Sequence, residues 1–141
     1  MEHFTIYIDG SSRGNPGPAG LGALFVNEKD KSLKKYSQFL GEKTNNEAEY
    51  LALIFALKKA KFLLGKEKIK KALIEIKSDS QLLIKQINGQ YKIKEPKIQK
   101  LFIEVWNLKI DFPNLKFILI PREKNKEADR LSNLAYETYY S

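Results

Sequence analysis

The sequence predicts an α/β domain with a mixed five-stranded sheet and elements in the order βββαβααβα. Three observations predict this class. Apolar residues alternate near the start of the chain, a long run without Gly or Pro follows in the middle, and short β-branched runs separate the later helical stretches. We expect strands 1 to 3 to form an antiparallel meander. Strands 4 and 5 follow helices, so we expect them to run parallel to strand 1.

The first half of the chain contains three predicted strands and one long predicted helix. Residues 3–9 alternate as a strand ending at Asp9, and residues 10–20 hold four glycines and two prolines, which predicts a turn. Residues 21–26 and 35–40 flank a polar tip, as in a hairpin. Thr44, Asn45 and Asn46 are capping residues ahead of a helix over 47–64 that Gly65 closes.

The second half is predicted to add two strands and three helices. A β-branched run ends beside Asp79, and Asn88-Gly89 stops the short helix after it. Pro96 suits the first turn of the next helix. The predicted ranges are a strand at 72–77, helices at 81–87 and 97–110, a strand at 117–120, a polar loop at 121–124 and a helix at 126–139.

Composition limits the classes of function. The 141 residues include no Cys and one His, His3, which excludes disulfide and thiolate-zinc scaffolds, so any metal site must use oxygen ligands. The longest apolar run, residues 51–57, is far short of a membrane span, and we expect a soluble cytoplasmic protein. The net charge of +8 suggests a polyanionic partner. The excess of basic side chains lies after residue 57, because residues 1–57 carry six basic and seven acidic side chains.

Four acidic residues fall where an α/β sheet assembles a site. Asp9 and Asp79 follow predicted strands, and Glu49 and Asp129 lie early in predicted helices. Taken singly, each is more often a turn residue or a first-turn helix acid. If strands 1 and 4 are parallel neighbours, the four converge, and such carboxylates repel one another unless Mg²⁺ or Mn²⁺ neutralises them.

Four motifs occur together across the chain: DGSSRGNPGPAG at 9–20, TNNEAEY at 44–50, SDSQ at 78–81 and NKEAD at 125–129. In this order and on these elements they resemble type 1 ribonuclease H over essentially the whole chain. The resemblance implies the ribonuclease H-like fold in a single domain over residues 1–141. It also implies a metal-dependent endonuclease that cuts the RNA strand of RNA/DNA hybrids without sequence specificity.

The family's metal-binding carboxylates correspond here to Asp9, Glu49, Asp79 and Asp129. The TNNxxE spacing selects Glu49, which leaves Glu47 as a solvated first-turn acid. The resemblance implies that two Mg²⁺ or Mn²⁺ ions, bound with the substrate, activate a water for in-line attack and leave a 3′-hydroxyl and a 5′-phosphate. No covalent nucleophile is needed.

The resemblance also assigns contacts with the hybrid. Asn15, Asn45 and Gln81 match positions that contact bases or sugars from the minor groove, and Thr44 matches a grip on a DNA phosphate. Ser12 and the backbone of Gly10 and Ser11 would approach ribose 2′-hydroxyls, which distinguish RNA from DNA. Helix capping is an equally good interpretation of Asn45 and Asn46 from chemistry alone.

The chain departs from the family pattern in two places. Many members carry a histidine in the loop before the last motif, where this chain has Arg122, Glu123 and Lys124, either a partial substitute or an ordinary solvated loop. Many also carry a long basic protrusion with tryptophans, whereas residues 88–94 are short, which indicates a compact branch. Trp106, the only tryptophan, is then expected to be a core or helix-packing aromatic. The expected substrate grip comes instead from Lys85, Lys92, Lys94 and Lys97.

Two alternatives remain open. A nuclease of the same fold could act on double-stranded RNA or DNA junctions, and a non-catalytic module could bind hybrids without cutting them. Asn15, Asn45 and Gln81 favour hybrids, and the four carboxylates favour catalysis. The sequence indicates no obligatory protein partner.

Overall fold

Strand β1 (His3–Ser12) lies at the centre of the sheet in the computed structural model, which describes residues 1–140. The strand order is β3-β2-β1-β4-β5. Strands β1, β2 and β3 pair antiparallel, whereas β4 pairs parallel to β1 and β5 parallel to β4. The predicted mixed sheet is therefore confirmed. The other strands are β2 (Gly17–Asn27), β3 (Leu33–Lys43), β4 (Leu73–Ser78) and β5 (Leu115–Leu119).

Helices cover both faces of the sheet. Ile6 and Ile8 of β1 are buried in one cluster with Leu53 and Leu57 of the longest helix, because alternate strand residues point to the same face. The last helix covers the opposite face. The helices are α1 (Asn45–Lys71), α2 (Gln81–Ile87), α3 (Pro96–Lys109) and α4 (Lys126–Tyr140), and a 3-10 turn spans Arg122–Lys124. Among these helices, none combines the length and the apolar character needed to cross a bilayer.

The glycine-rich segment is mostly strand, which corrects the predicted turn at 10–20. Strands β1 and β2 remain paired through Ser12 and Ala19, so only residues 13–16 make the connection. Asp9 consequently lies inside β1, opposite Gly22, and not at its end. Gly and Ala in paired strands leave space above the sheet, and helices occupy that space here.

Two other expectations change. Gly65 breaks α1 with a φ of 77°, but helical structure resumes beyond it and runs to Lys71. Trp106 leaves 53% of its surface exposed. Its ring lies 6.3 Å from that of Phe102 on the same helix and under Lys109, so it belongs to the outer surface of α3 and not to the core.

Two glycines let the flanking helices touch the sheet. A Cβ at Gly10 would lie 2.1 Å from the carbonyl oxygen of Ala48 in α1, and a Cβ at Gly22 would lie 2.2 Å from that of Ala128 in α4. Real side chains do not fit at these distances. Glycine at these positions therefore brings the starts of α1 and α4 against the sheet on either side of Asp9.

Candidate active site

Three carboxylates converge where β1 and β4 diverge. The parallel register that pairs Tyr7 with Lys77 leads two residues later to Asp9 and Asp79. Glu49 reaches them from the first turns of α1. One oxygen of each carboxylate lies within 4.8 Å of the other two, so the three can share a cation.

Burial and mutual repulsion hold these groups towards their protonated forms. Burial raises the pKa of Asp9 to about 7, with Asp79 and Asp129 adding to the rise. Burial and the charge of Asp9 also raise the pKa of Glu49 well above its usual value. The pKa of Asp79 is raised by burial and held back by Arg122 and Asn125. Bound cations would reverse this arrangement, because they stabilise the ionised carboxylates.

Each of the three carboxylates has polar neighbours. Glu49 accepts a 2.7 Å hydrogen bond from the backbone N–H of Gly10. Asp9 accepts a 2.7 Å hydrogen bond from the hydroxyl of Ser132. The Asn125 side chain donates to the carbonyl of Ile8 at 2.8 Å, and its proximity to Asp79 lowers the pKa of that carboxyl.

Sequence reasoning missed the roles of Ser132 and Asn125. Ser132 follows Asp129 by three residues, so the two share a face of α4. That spacing could have indicated from the sequence that Ser132 lies beside the site. Asn125 already stood in the NKEAD motif, but its contact with Ile8 depends on a pairing 117 residues apart in the chain.

Asp129 stands beside the cluster and not within the 4.8 Å group. Its charge nevertheless raises the pKa of both Asp9 and Asp79. The amide of Asn133 donates to the backbone carbonyl of Asp129 at 3.0 Å and lies 3.4 Å from its carboxylate. The predicted fourth ligand is therefore close to the cluster, and its role as a ligand stays a prediction.

The predicted hybrid contacts at the β1–β2 connection bond to one another. The N–H of Ser12 donates to Asn45 at 2.9 Å, and the N–H of Asn45 donates to Asn15 at 3.0 Å. Both asparagines are exposed. The hydroxyl of Ser12 differs from the expected approach to a ribose, because it bonds inward to the carbonyls of Lys43, at 2.8 Å, and Gly14. The N–H of Gly10 is likewise occupied by Glu49, and Ser11 bonds Ser132 at 3.1 Å through its hydroxyl.

The start of α1 is a capping box. The hydroxyl of Thr44 accepts from the N–H of Glu47 at 3.1 Å, and the Glu47 carboxylate accepts from the N–H of Thr44 at 3.0 Å. This backbone bond lowers the pKa of Glu47. Glu47 is therefore a capping residue, which corrects its interpretation as a solvated acid.

Two further surfaces border the cluster. Gln81 is exposed at the start of α2 and donates to the hydroxyl of Tyr91 at 3.2 Å, with Lys85 above the same ring at 5.4 Å. The turn at 122–124, which the resemblance sets at the position of a histidine-bearing loop, is exposed. Within it, Arg122 is the cation whose charge lowers the pKa of Asp9 and of Asp79.

The comparisons with known proteins agree with this geometry. A family model described as "Reverse transcriptase-like" matches residues 7–135. LC11-RNase H1, crystallised in complex with an RNA/DNA hybrid, superimposes with a TM-score of 0.91 at 42% identity over 98% of this chain and 99% of that one. The chain belongs to the type 1 ribonuclease H family.

Two curated relatives are considerably longer than this chain. Ribonuclease HI of Halobacterium salinarum is 35% identical over 93% of this chain, and a bifunctional protein of Mycobacterium tuberculosis is 38% identical over 94% of it. The chain spans 63% of the first relative and 35% of the second.

Proposed function

We propose that this ribonuclease H chain is a metal-dependent endonuclease that hydrolyses the RNA strand of RNA/DNA hybrids without sequence specificity. The observation that carries the proposal is the convergence of Asp9, Glu49 and Asp79 within 4.8 Å at the family's motif positions. The LC11 relative, similar over nearly its whole length, was crystallised with such a hybrid. Hydrolysis would leave a 3′-hydroxyl and a 5′-phosphate.

The donor set fits hard divalent cations. All three converging side chains offer oxygen, and burial and mutual repulsion raise their pKa values, an unfavourable state of the carboxylates that a cation would relieve. Asp9, Glu49, Asp79 and Asp129 would hold two Mg²⁺ or Mn²⁺ ions together with the substrate. When bound, the two ions supply an activated water and neutralise charge on the departing ribose oxygen. The chain's part is to hold them in line with the phosphate.

Substrate recognition is assigned to exposed amides beside the cluster. Asn15 lies in the β1–β2 connection and Asn45 and Gln81 lie at the starts of α1 and α2; all three are exposed and would contact the minor groove. Amides that contact sugars and degenerate groove edges give little sequence selection. Thr44, and the backbone at Gly10, Ser11 and Ser12, complete the proposed contact set, although their hydrogen bonds within the protein support a positioning role as well.

The test compares two charge-removing variants of the same strand. A labelled RNA/DNA hybrid is incubated with Mg²⁺ or Mn²⁺ and with wild type, Asp79→Asn or Glu75→Gln. Glu75 lies on β4, and Asp79 follows that strand four residues later, so the two face the same side of the sheet while Glu75 lies away from the cluster. We expect Asp79→Asn to lose at least about 100-fold in rate, more than the loss of a partner that only supports a metal ligand. Glu75→Gln should cleave like wild type, and wild type failing in both metals would refute the proposal.

A substrate panel separates the alternatives. The cleavage rates of double-stranded RNA, a DNA junction and the hybrid are compared at equal concentration. If either of the first two is cleaved faster than the hybrid, that nucleic acid is the preferred substrate. Metal-independent hybrid binding that survives neutralisation of all four carboxylates, without cleavage by wild type, would indicate a binding module. The same proposal takes residues 1–141 as one catalytic domain acting in the cytoplasm, and the single sheet with one buried cluster supports the first part.

A further inference from the structure

The hydroxyl of Ser132 lies between the carboxylate cluster and Ser11 of β1. Ser132 is fully buried. Its oxygen lies 2.7 Å from a carboxylate oxygen of Asp9, 3.1 Å from the hydroxyl of Ser11 and 2.9 Å from the backbone carbonyl of Asp129. Three residues with proposed roles at the site therefore meet at one side chain that no proposed role yet includes.

Counting protons gives the direction of these hydrogen bonds. A serine hydroxyl has one proton to donate and can accept others. A cation-bound carboxylate carries no proton, so Asp9 can only accept, and Ser132 must donate to it. The Asp129 carbonyl can only accept as well, and the Asp9 contact is the shorter of the two. Ser132 must then accept in its contact with Ser11, so the Ser11 hydroxyl donates to Ser132 and the Ser132 hydroxyl donates to Asp9.

We propose that Ser132 is a positioning residue that locks the Asp9 carboxylate in its metal-binding orientation and connects it to Ser11 on the substrate side. This inference rests on the proposed function, in which Asp9 is a metal ligand. Partners that orient ligating carboxylates commonly contribute 10- to 100-fold in metal affinity, so an effect of about that size is expected.

Packing alone does not require this hydroxyl. The approach of α4 to the sheet is made by backbone against glycine: a Cβ on Gly20 would lie 2.4 Å from the Ser132 carbonyl, and one on Gly22 would lie 2.6 Å from the Ser132 nitrogen. A hydrogen bond from Ser37 to the Leu131 carbonyl at 2.6 Å also ties α4 to β3. Helical serines commonly satisfy themselves with a carbonyl one turn back, as Asp129 offers here. Because the hydroxyl has one proton, donating it to Asp9 takes the place of this local bond and is not needed to satisfy Ser132.

The test measures metal binding without substrate. Titration calorimetry with Mn²⁺ alone is performed on wild type, Ser132→Ala and Ser37→Ala, and thermal unfolding in EDTA verifies that each is folded. Ser37→Ala is the matched control, because it removes a hydroxyl bonded to the same helix away from the carboxylates. We expect Ser132→Ala to weaken Mn²⁺ binding about 10-fold or more, and Ser37→Ala to leave it unchanged. Wild-type Mn²⁺ affinity in folded Ser132→Ala would overturn the proposal.

Two further measurements separate positioning from general damage. Ser132→Cys keeps a side chain of similar shape with a weaker donor, so its affinity should fall between wild type and Ser132→Ala. If Ser132→Ala does not fold, this variant decides, and wild-type affinity in it counts against the proposal. For hybrid cleavage, Ser132→Ala should lower kcat more than it raises KM. Because calorimetry needs no cleavage, a weakened Mn²⁺ affinity would stand even if hybrid hydrolysis itself were not found.

Discussion

Acidic residues at the two ends of the β1–β4 strand pair have opposite surroundings. At one end Glu75 lies 2.6 Å from the ring of His3, the only histidine of the chain. At the other end Asp79 and Asp9 meet each other and Glu49, and the pKa of all three is raised. The strands and the face of the sheet are the same. The difference is that Glu75 has a basic ring beside it, whereas Asp9, Glu49 and Asp79 are buried next to one another with neighbours that only partly offset this.

This contrast distinguishes a structural acid from a functional one. A paired carboxylate on a partly exposed surface adds little to stability and needs nothing further. Three converging carboxylates that are buried and ionised lower the stability of the metal-free fold, and a bound cation would relieve that cost. Burial together with mutual repulsion at the ends of the central strands is thus the physical sign of the site, whereas an acidic residue next to a strand is not.

The strongest test of the contrast is Asp9→Asn. We expect hybrid cleavage to fall by at least about 100-fold, because a ligand and not merely its support is lost. The metal-free protein should gain stability at neutral pH, since a buried ionised carboxylate is replaced by a neutral amide that still accepts from Ser132. Unfolding scans in EDTA, together with cleavage rates, check both parts. An inactive variant with lowered metal-free stability would mean that Asp9 acts mainly in folding.

The next test uses pH. The pKa of Asp9 is about 7 in the folded chain against 3.8 ordinarily, so between these values the folded state holds a proton that the unfolded state has released. Stability without metal should therefore fall as pH rises from 4 to 7. Added Mg²⁺ binds the ionised form, so its stabilising effect should grow with pH over the same interval. Melting temperatures with and without Mg²⁺ measure this, and a Mg²⁺ effect that does not change with pH would contradict the assigned repulsion.

The smallest effect is expected at the paired end. His3→Ala removes one partly exposed hydrogen bond and should cost about 0.5–1 kcal/mol of unfolding free energy. Cleavage should not change, because the pair lies at the opposite end of the strands. Denaturant unfolding and the hybrid assay check the two statements. A lowered kcat in His3→Ala would show that the two ends are coupled and would contradict a purely structural role for the His3–Glu75 pair.

Much of this arrangement was accessible from the sequence because its signals are local. Thr44 and its neighbours predict the start of α1, since a cap acts within one turn. Alternation in 3–9 and helical spacing in the later segments predict the strand and helix order. The motifs at Asp9, Glu49, Asp79 and Asp129 were recognisable because each is a short, contiguous string.

Other features depended on contacts that no local pattern contains. In isolation, residues 10–20 resemble a turn, yet most of them pair as strand. Glycines occur in this segment because α1 and α4 touch the sheet there. Trp106 has helical spacing within an apolar pattern, but nothing in the described fold packs over it as core, and it stays exposed.

By itself the sequence determined the element order, the α1 cap, the basic excess and the candidate carboxylates, because these follow from residues adjacent in the chain. Only the tertiary structure decided which groups surround each carboxylate. The bond from Ser132 to Asp9 joins residues 123 apart, and the one from Asn125 to Ile8 joins residues 117 apart. The packing of α4 against β1 and β2 creates these neighbours, whereas the parallel register of β1 and β4 brings Asp9 beside Asp79. Long-range pairing therefore gathers separate acidic residues into one candidate metal site.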